Sequence, residues 1–253
     1  MNFRIHSWFN YLRKARHRGG HGIHSPFLFH LITTVIEEKK RYPEYEIFEK
    51  LRIKALKHLN SKTYNTLPDA IHKQGNRVVK PGRVLKKTEL PLRYHKCIFR
   101  LIREFKPATL IHYGPTLGIN LAVMALANRE TLVYQTGNNA AYNSLSSDLL
   151  TDLELCNLIF LPENSVPIGH PEFVLIDYPD NPERARLPIQ HYLADHGNDD
   201  VLILRGIHQS QEMETLWKET VTDSRVHVTI DQLEIGIVLF RKGLQKENFI
   251  LRF

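Results

Sequence analysis

The sequence contains only two cysteines, Cys97 and Cys156, in 253 residues. They lie far apart on a predicted helix and a predicted strand, which argues against a disulfide framework or a zinc cluster and favours a reducing compartment. The chain lacks any run of about 18 apolar residues, which excludes a transmembrane helix. Its first ten residues lack the apolar core and the small-residue cleavage site of a signal peptide. We therefore expect a cytoplasmic protein with no transmembrane segment.

Composition places the chain among globular proteins. Hydrophobic residues make up 42% and charged residues 24% of the sequence, which are ordinary proportions for a protein with an apolar core. The length is sufficient for a full core, arranged either as one large domain or as one domain with a helical appendage.

Charge is distributed unevenly along the chain. Residues 1–106 contain 24 Lys and Arg against 8 Asp and Glu (+16), and the remainder contains 10 against 19 (−9), which gives the net +7. One interpretation is an electrostatic site for nucleic acid, anionic lipid or an acidic partner. The other is that the basic part docks on the acidic part of the same chain. We favour the second, because no RNA-binding signature accompanies the basic residues.

The N-terminal part reads as basic helices followed by a linker. Residues 2–16 can form an amphipathic helix with apolar Phe3, Trp8, Phe9 and Leu12 and basic Arg4, Arg13, Lys14 and Arg16. Such a helix could lie on a membrane surface, but docking of its apolar face onto the domain is the commoner arrangement. Further helices are predicted from Pro26 to Lys39, with Ser25 as N-cap, and from Pro43 to Leu59.

Two histidines and a linker complete this part. His21 and His24 are candidates for ligands or acid–base groups, although a structured loop is the simpler interpretation, since no carboxylate or cysteine lies nearby in sequence. Residues 61–88 are polar and aperiodic and predict a linker. We therefore divide the chain into a basic helical extension with linker, 1–88, and an α/β domain, 89–253.

The centre of the α/β domain is a glycine turn. Leu110 and Ile111 form a short apolar strand, Gly114 and Gly118 follow, and an apolar helix runs to about Asn128 before the next strand. Strand, glycine turn, helix and strand form the opening βαβ unit of a nucleotide-binding sheet. The Gly-x-x-x-Gly spacing differs from the Gly-x-Gly-x-x-Gly of dinucleotide sites, so the turn alone does not identify a ligand.

Strands and helices then alternate regularly. Strands are predicted near 109–113, 131–135, 157–161, 172–177, 200–204, 225–230 and 235–241, and helices near 91–105, 117–128, 138–150, 183–195 and 209–222. The last two strands are joined by residues 231–234, which is too short for a helical crossover, so they should pair antiparallel. The pattern predicts a mostly parallel, Rossmann-like α/β sheet that ends in an antiparallel hairpin.

Several motifs carry a family resemblance. They are His21-Gly-Ile-His-Ser-Pro-Phe27, Leu101-Ile-Arg-Glu-Phe-Lys-Pro-Ala-Thr-Leu110, Ile207-His-Gln-Ser210 with the following Glu212-Met-Glu, Asp231, and the tail Phe249-Ile-Leu-Arg-Phe253. On these the chain resembles a bacterial family of class I S-adenosylmethionine-dependent methyltransferases of the O-methyltransferase type. The resemblance implies S-adenosylmethionine as cofactor and methyl transfer to the oxygen or nitrogen of a small molecule.

The resemblance also implies a site, and the sequence departs from it. It would use His112, Gly114, Thr116, Gly118, Thr136 and Asp177 for the cofactor, with Asp177 and His208 as catalytic residues. The family has a glutamate where His112 stands and a second carboxylate where Thr136 stands, and a neutral hydroxyl cannot replace the grip of a carboxylate. The family's Asp-Asp pair is Arg205-Gly206 here, so we expect no metal.

These departures leave three hypotheses open. In the first, the chain is a methyltransferase with altered cofactor-binding residues. In the second, it is a degenerate methyltransferase fold that serves as a binding or interaction module. In the third, it is a nucleic-acid-associated protein that uses residues 1–106 as a basic clamp. The third is the least favoured. A homo-oligomer is compatible with each of them.

Overall fold

The structure, a computed structural model, describes residues 3–15, 19–20, 22–60, 73–74, 77–78, 80–162, 165 and 169–252. His21 and most of the predicted linker lie outside these residues. The chain divides into two compact units, one formed by Met1–Lys39 with Ile168–Phe253 and the other by Lys40–Pro167.

The helices occupy most of the predicted positions. They are α1 Phe3–Lys14, α2 Pro26–His30 with a π-helical turn Leu31–Ile36, α3 Glu44–Leu59, α4 Pro81–Thr88, α5 Leu92–Phe105, α6 Ile119–Ala127, α7 Ala140–Leu150, α8 Pro182–Ala194 and α9 Gln211–Thr222. Helix α4 lies in the stretch predicted as linker. It begins with Pro81 at its first turn and buries Val84 and Leu85, and so short a segment gives little periodicity to detect.

The strands are short, with two to five residues each. They are β1 Lys73–Gln74, β2 Arg77–Val78, β3 Thr109–Tyr113, β4 Leu132–Thr136, β5 Leu158–Phe160, β6 Phe173–Ile176, β7 Val201–Arg205, β8 Val228–Asp231, β9 Ile235–Leu239 and β10 Glu247–Ile250. Strand β10 was not predicted, since its four residues are half polar.

In the unit of residues 40–167, β4 lies between β3 and β5, and both pairings are parallel. Every residue of α6 is buried, as expected for an apolar helix that packs directly after a glycine turn. The same unit holds α3, α4, α5 and α7 and the small antiparallel pair β1–β2. The βαβ unit predicted at residues 109–136 is therefore present.

In the other unit, β6 and β7 are parallel, β9 pairs antiparallel with β7 and β8, and β10 adds parallel to β8. All residues of β6, β7, β8 and β9 are buried. The predicted class, a mostly parallel Rossmann-like α/β sheet with a terminal antiparallel hairpin, is confirmed.

Helix α1 docks on its own unit, but through a different face from the one predicted. Its buried residues are Ser7 and Tyr11. The Tyr11 hydroxyl donates to the main-chain oxygen of Leu251, and Ser7 Oγ donates to Glu214 Oε2 at 3.2 Å. The docked face is thus polar and aromatic, and the expected docking of the Trp8 and Phe9 face is wrong. No helix among the described residues has the length and apolar content to cross a bilayer.

Candidate functional site

The glycine turn follows β3 and has the backbone that its glycines permit. Gly114 and Gly118 have φ angles of 132° and 113°, in the region that side chains other than glycine rarely adopt. A Cβ atom on Gly118 would lie 3.3 Å from Ser146 Cα and from the Leu150 side chain. The close approach that Gly118 allows is therefore made by helix α7 of the same chain.

A carboxylate from outside the turn fills it. Glu89, only 1% exposed, precedes α5 and reaches across to the start of α6. Its Oε1 accepts hydrogen bonds from Thr116 Oγ1 at 2.7 Å, Leu117 N at 2.6 Å and Gly118 N at 3.1 Å. Its Oε2 accepts one from Asn120 N at 2.8 Å. Four donors of the turn thus converge on one internal carboxylate.

This position is the one at which an anion is most stable. The first N–H groups of a helix have no partner within the helix, and they carry the positive end of the helix dipole. In nucleotide-binding folds the same groups hold the ligand's phosphate or carboxylate. Here Glu89 satisfies two of them, Gly118 N and Asn120 N, within the protein.

The rest of the turn is fixed by amide and hydroxyl groups. Thr116 N donates to Asn138 Oδ1 at 2.9 Å, and Ser146 Oγ donates to Thr116 O at 3.0 Å. Gly118 N makes a second contact, of 2.9 Å, to Thr116 Oγ1. Both the main chain and the hydroxyl of Thr116, a predicted cofactor ligand, are therefore engaged in internal hydrogen bonds.

His112 is fully buried and faces the neighbouring strand. Its Nδ1 lies 2.6 Å from Gln135 Oε1. Because Gln135 Nε2 donates to the main-chain oxygens of Gly114 and Thr136, its Oε1 must accept, and the network is satisfied by a histidine that carries a proton on Nδ1. Asn120 Nδ2 lies 3.4 Å from His112 Nε2.

Asn120 extends this network to α5 and α4. Its Oδ1 lies 2.8 Å from His95 Nε2, and its Nδ2 also donates to Thr88 O at 3.3 Å. Where the family places a carboxylate for the cofactor's ammonium, this chain has a buried polar network that joins β3, β4, α5 and α6. Buried hydrogen-bond networks of this kind fix the packing of a core.

Thr136 lies at the end of β4 and is 1% exposed. Its hydroxyl donates to Pro162 O at 3.0 Å. Its single donor is thus used to hold the loop after β5.

In the other unit, the predicted catalytic residue Asp177 follows the end of β6 and is fully buried. Arg205 Nη1 contacts its two oxygens at 2.7 and 3.1 Å, and Arg205 Nε lies 3.6 Å from Glu234 Oε1. The arginine at the position of the family's acid pair therefore neutralises Asp177. The next residue, Gly206, has a φ of 78°, and a Cβ there would come within 2.6 Å of Pro179.

The second predicted catalytic residue, His208, belongs to a different ion pair. Its Nε2 lies 2.7 Å from Asp231 Oδ2, and its Nδ1 lies 3.8 Å from Glu214 Oε2. Burial opposes the charged imidazole, but the hydrogen bond and charge of Asp231, together with Glu214, raise the pKa of His208. The Tyr11 ring lies 6.3 Å from the His208 ring. His208 thus lies between two carboxylates and beside α1.

Side chains that could bind a metal ion are not clustered in the described part of the chain. There, no group of three or more His, Cys, Asp or Glu side chains is arranged to hold a metal ion. Cys97 is buried and Cys156 is exposed, and the two are not joined in a disulfide.

Comparison with known proteins identifies the fold. No protein-family model and no curated protein matches the sequence. A methyltransferase from Podospora anserina with bound S-adenosylhomocysteine matches over 87% of this chain and 97% of its own, with a TM-score of 0.56 and 8% identity. An O-methyltransferase from Streptomyces achromogenes in complex with S-adenosylmethionine matches over 81% and 93%, with a TM-score of 0.54 and 12% identity.

A third structure agrees. An O-methyltransferase from Bacillus cereus with S-adenosylhomocysteine matches over 81% of this chain and 95% of its own, with a TM-score of 0.52 and 11% identity. This chain has the class I methyltransferase fold. At such identities the likeness shows the fold alone, and the chemistry has to be argued from this chain's own residues.

The residues of this methyltransferase fold do not fit the cofactor that the resemblance implies. The donors of the glycine turn are taken by Glu89, and the groups at positions 112 and 136 are an imidazole and a hydroxyl held in internal hydrogen bonds. Asp177 is paired with Arg205. No carboxylate at positions 112 or 136 is present to meet the ammonium or the ribose hydroxyls of S-adenosylmethionine.

The sequence analysis did not identify the residues that make the site a poor fit for S-adenosylmethionine. Glu89 and Glu104 are the only acids between Lys80 and Lys106, in a stretch with nine Lys and Arg, and that isolation was the one available signal. Gln135 and Asn120 gave no signal, since amides have no motif at these positions. In the sequence Asp231 contributes only to the family resemblance, because its pairing with His208 depends on the hairpin.

Proposed function

We propose that this chain is a catalytically inactive form of the class I methyltransferase fold and works as a binding or interaction module. The observation that supports this most strongly is the carboxylate of Glu89, which takes the four hydrogen-bond donors of the glycine turn. A cofactor that used those donors would first have to displace it.

The magnitude of this competition favours the internal ligand. A hydrogen bond to a charged group is worth about 1.5–3 kcal/mol, and because the bonds of one buried group are not additive, loss of all four should cost about 3–5 kcal/mol. A ligand with a micromolar Kd has only about 8 kcal/mol of binding free energy in total. Displacement of Glu89 would therefore offset about half of the binding free energy of such a cofactor.

A second candidate function follows from the same residue. The family has a glutamate at position 112, where this chain has His112. Glu89 brings a carboxylate to the same turn from outside it, and the Glu89 carboxylate could contact the ammonium of S-adenosylmethionine. The chain would then be a methyltransferase with a relocated acid, acting on a small-molecule acceptor as its resemblance implies. Burial of Glu89 and the use of both its oxygens favour the inactive form.

Calorimetric titration with S-adenosylhomocysteine separates the two. The inactive form predicts no saturable heat up to about 1 mM ligand for the wild type, and none for a folded H112E/T136E variant, since Glu89 still fills the turn. A relocated acid predicts saturable binding by the wild type and its loss in E89Q. Circular dichroism verifies that each variant is folded, and wild-type binding would refute the proposal.

A further inference from the structure

We propose that the outward face of helix α1 binds the surface of an anionic lipid bilayer. This outer face consists of Ile5, Trp8, Phe9 and Leu12. It is independent of the glycine turn and of any cofactor.

Geometry leaves this face open. At 100° per residue, Ser7 and Tyr11 lie on one side of α1, and the outer face lies on the other. The inner side is held to its unit by the contacts of Tyr11 with Leu251 and of Ser7 with Glu214. Ile5, Trp8 and Phe9 are 49%, 43% and 55% exposed. The helix is thus fixed in an orientation that turns its aromatic side chains outward.

The concentration of apolar groups is unusual for this molecule. Within the described ranges there are eight exposed large apolar side chains, and three of them lie on two turns of α1. Isolated exposed apolar residues need no explanation, whereas a contiguous patch indicates an interaction surface. Trp8 and Phe9 are of the types that favour the boundary between headgroups and acyl chains.

The basic residues of α1 favour an anionic bilayer as the partner of the outer face. Arg4 and Arg13 are exposed and flank the outer face on its two sides, and no Asp or Glu precedes Glu37 in the sequence. An apolar stripe flanked by Lys and Arg is the pattern of helices that lie in the plane of anionic membranes. At 12 residues, α1 is about 18 Å long and can only lie along such a surface, not cross it.

Two other occupants fit less well. A second copy of the chain would bring Arg4 and Arg13 against the same arginines, with no acid on α1 to offset them. A nucleic acid would use the arginines but has no use for an exposed Ile5 or Phe9, because its affinity comes from phosphate contacts.

Trp8 provides the probe. The sequence has two tryptophans, and Trp217 is buried, so the full-length W217F variant leaves Trp8 as the single reporter. We expect its emission to shift to the blue with vesicles of 70% phosphatidylcholine and 30% phosphatidylglycerol, and the shift to decline as salt increases. Pure phosphatidylcholine vesicles should give a much smaller shift.

Variants in the same W217F background test the residues. R4Q/R13Q should weaken partitioning about 25-fold, from about fivefold for each arginine near an anionic surface. F9S should also weaken it. The matched controls, R129Q/K106Q for charge and L187S for an exposed apolar side chain, should leave it unchanged.

Four results would overturn this inference. One is the absence of any Trp8 shift with anionic vesicles at low salt, and another is equal partitioning of R4Q/R13Q and its control. The third is a shift without vesicles that grows with protein concentration and is accompanied by a dimer in sedimentation, which would assign the face to a second copy. Binding of a DNA duplex that depends on Arg4 and Arg13, with no vesicle binding, would likewise contradict it.

Discussion

The Glu89 carboxylate lies 2.6 Å from the main-chain nitrogen of Leu117 and 3.1 Å from that of Gly118. A side chain that precedes one helix therefore caps the N-terminus of the next, at the turn where this fold places a ligand in other proteins. The capping joins α4, α5 and α6 through buried groups. Stability should accordingly depend on Glu89 far more than on other glutamates.

Replacement of Glu89 should be among the most destabilising single changes in the chain. E89A removes the acceptor shared by four buried donors, of which Gly118 N keeps Thr116 Oγ1, and should lower the free energy of unfolding by about 3–5 kcal/mol. E89Q, which keeps an oxygen, should lower it by about 1–3 kcal/mol. Urea unfolding measures both. E130A, an exposed glutamate of the same unit, should change stability by less than about 0.5 kcal/mol. Similar losses for E89A and E130A would contradict the capping role.

Gly118 should tolerate no side chain, because its φ is 113° and Ser146 Cα lies 3.3 Å from the position of a Cβ. G118A should cost about 1–3 kcal/mol. Gly82, in α4, has open space around it, so G82A should be neutral or stabilise by up to about 1 kcal/mol. Thermal unfolding of the two variants gives the comparison, and equal effects would show that the turn is not tightly packed.

The pair of Asp177 and Arg205 should behave as a buried ion pair. D177L or R205M alone leaves the other charge buried without its partner and should lower the free energy of unfolding by about 3–5 kcal/mol. The double variant should lower it by much less than the sum of the two. The exposed pair of Arg186 and Glu219, 2.6 Å apart, serves as control and should couple by about 1 kcal/mol or less. A double-mutant cycle by chemical denaturation gives both coupling energies, and equal values would contradict the buried pairing.

His208 should make stability depend on pH. Since Asp231 and Glu214 raise its pKa in the folded protein above the ordinary 6.5, its stabilisation is complete below about pH 6.5 and is lost as pH rises through the folded pKa. H208Q should therefore cost about 1.5–3 kcal/mol at pH 6 and only about 0.5–1.5 kcal/mol at pH 9. Unfolding curves at both pH values, with exposed His24→Gln as control, measure this. A cost that grows with pH would show that the neutral imidazole is the stabilising form.

Local patterns predicted the fold and the turn. The apolar runs of β3, β6 and β7 are buried throughout or nearly so, and the positive φ values of Gly114 and Gly118 are a property of glycine itself. The antiparallel pairing of β8 and β9 followed from the shortness of residues 231–234. Each of these depends on neighbouring residues in the sequence, which is why the sequence alone indicated them.

The partners of the site residues could not be predicted in the same way. Glu89 meets Gly118 only because α5 packs against α6, and His208 meets Asp231 only because β8 ends beside the loop after β7. The docked face of α1 was wrongly predicted for a related reason. Apolar periodicity locates a stripe on a helix, but here the protein binds Tyr11 through its hydroxyl and leaves Trp8 exposed.

The most direct measurement is a titration of ¹⁵N-labelled wild-type protein with S-adenosylhomocysteine, followed at the amide resonances of Leu117, Gly118 and Asn120. If Glu89 permanently occupies these donors, their resonances should stay fixed up to about 1 mM ligand, and their exchange with solvent should remain slow. A saturable shift of the three amides would show that the turn accepts the cofactor, and that Glu89 yields its place to a ligand.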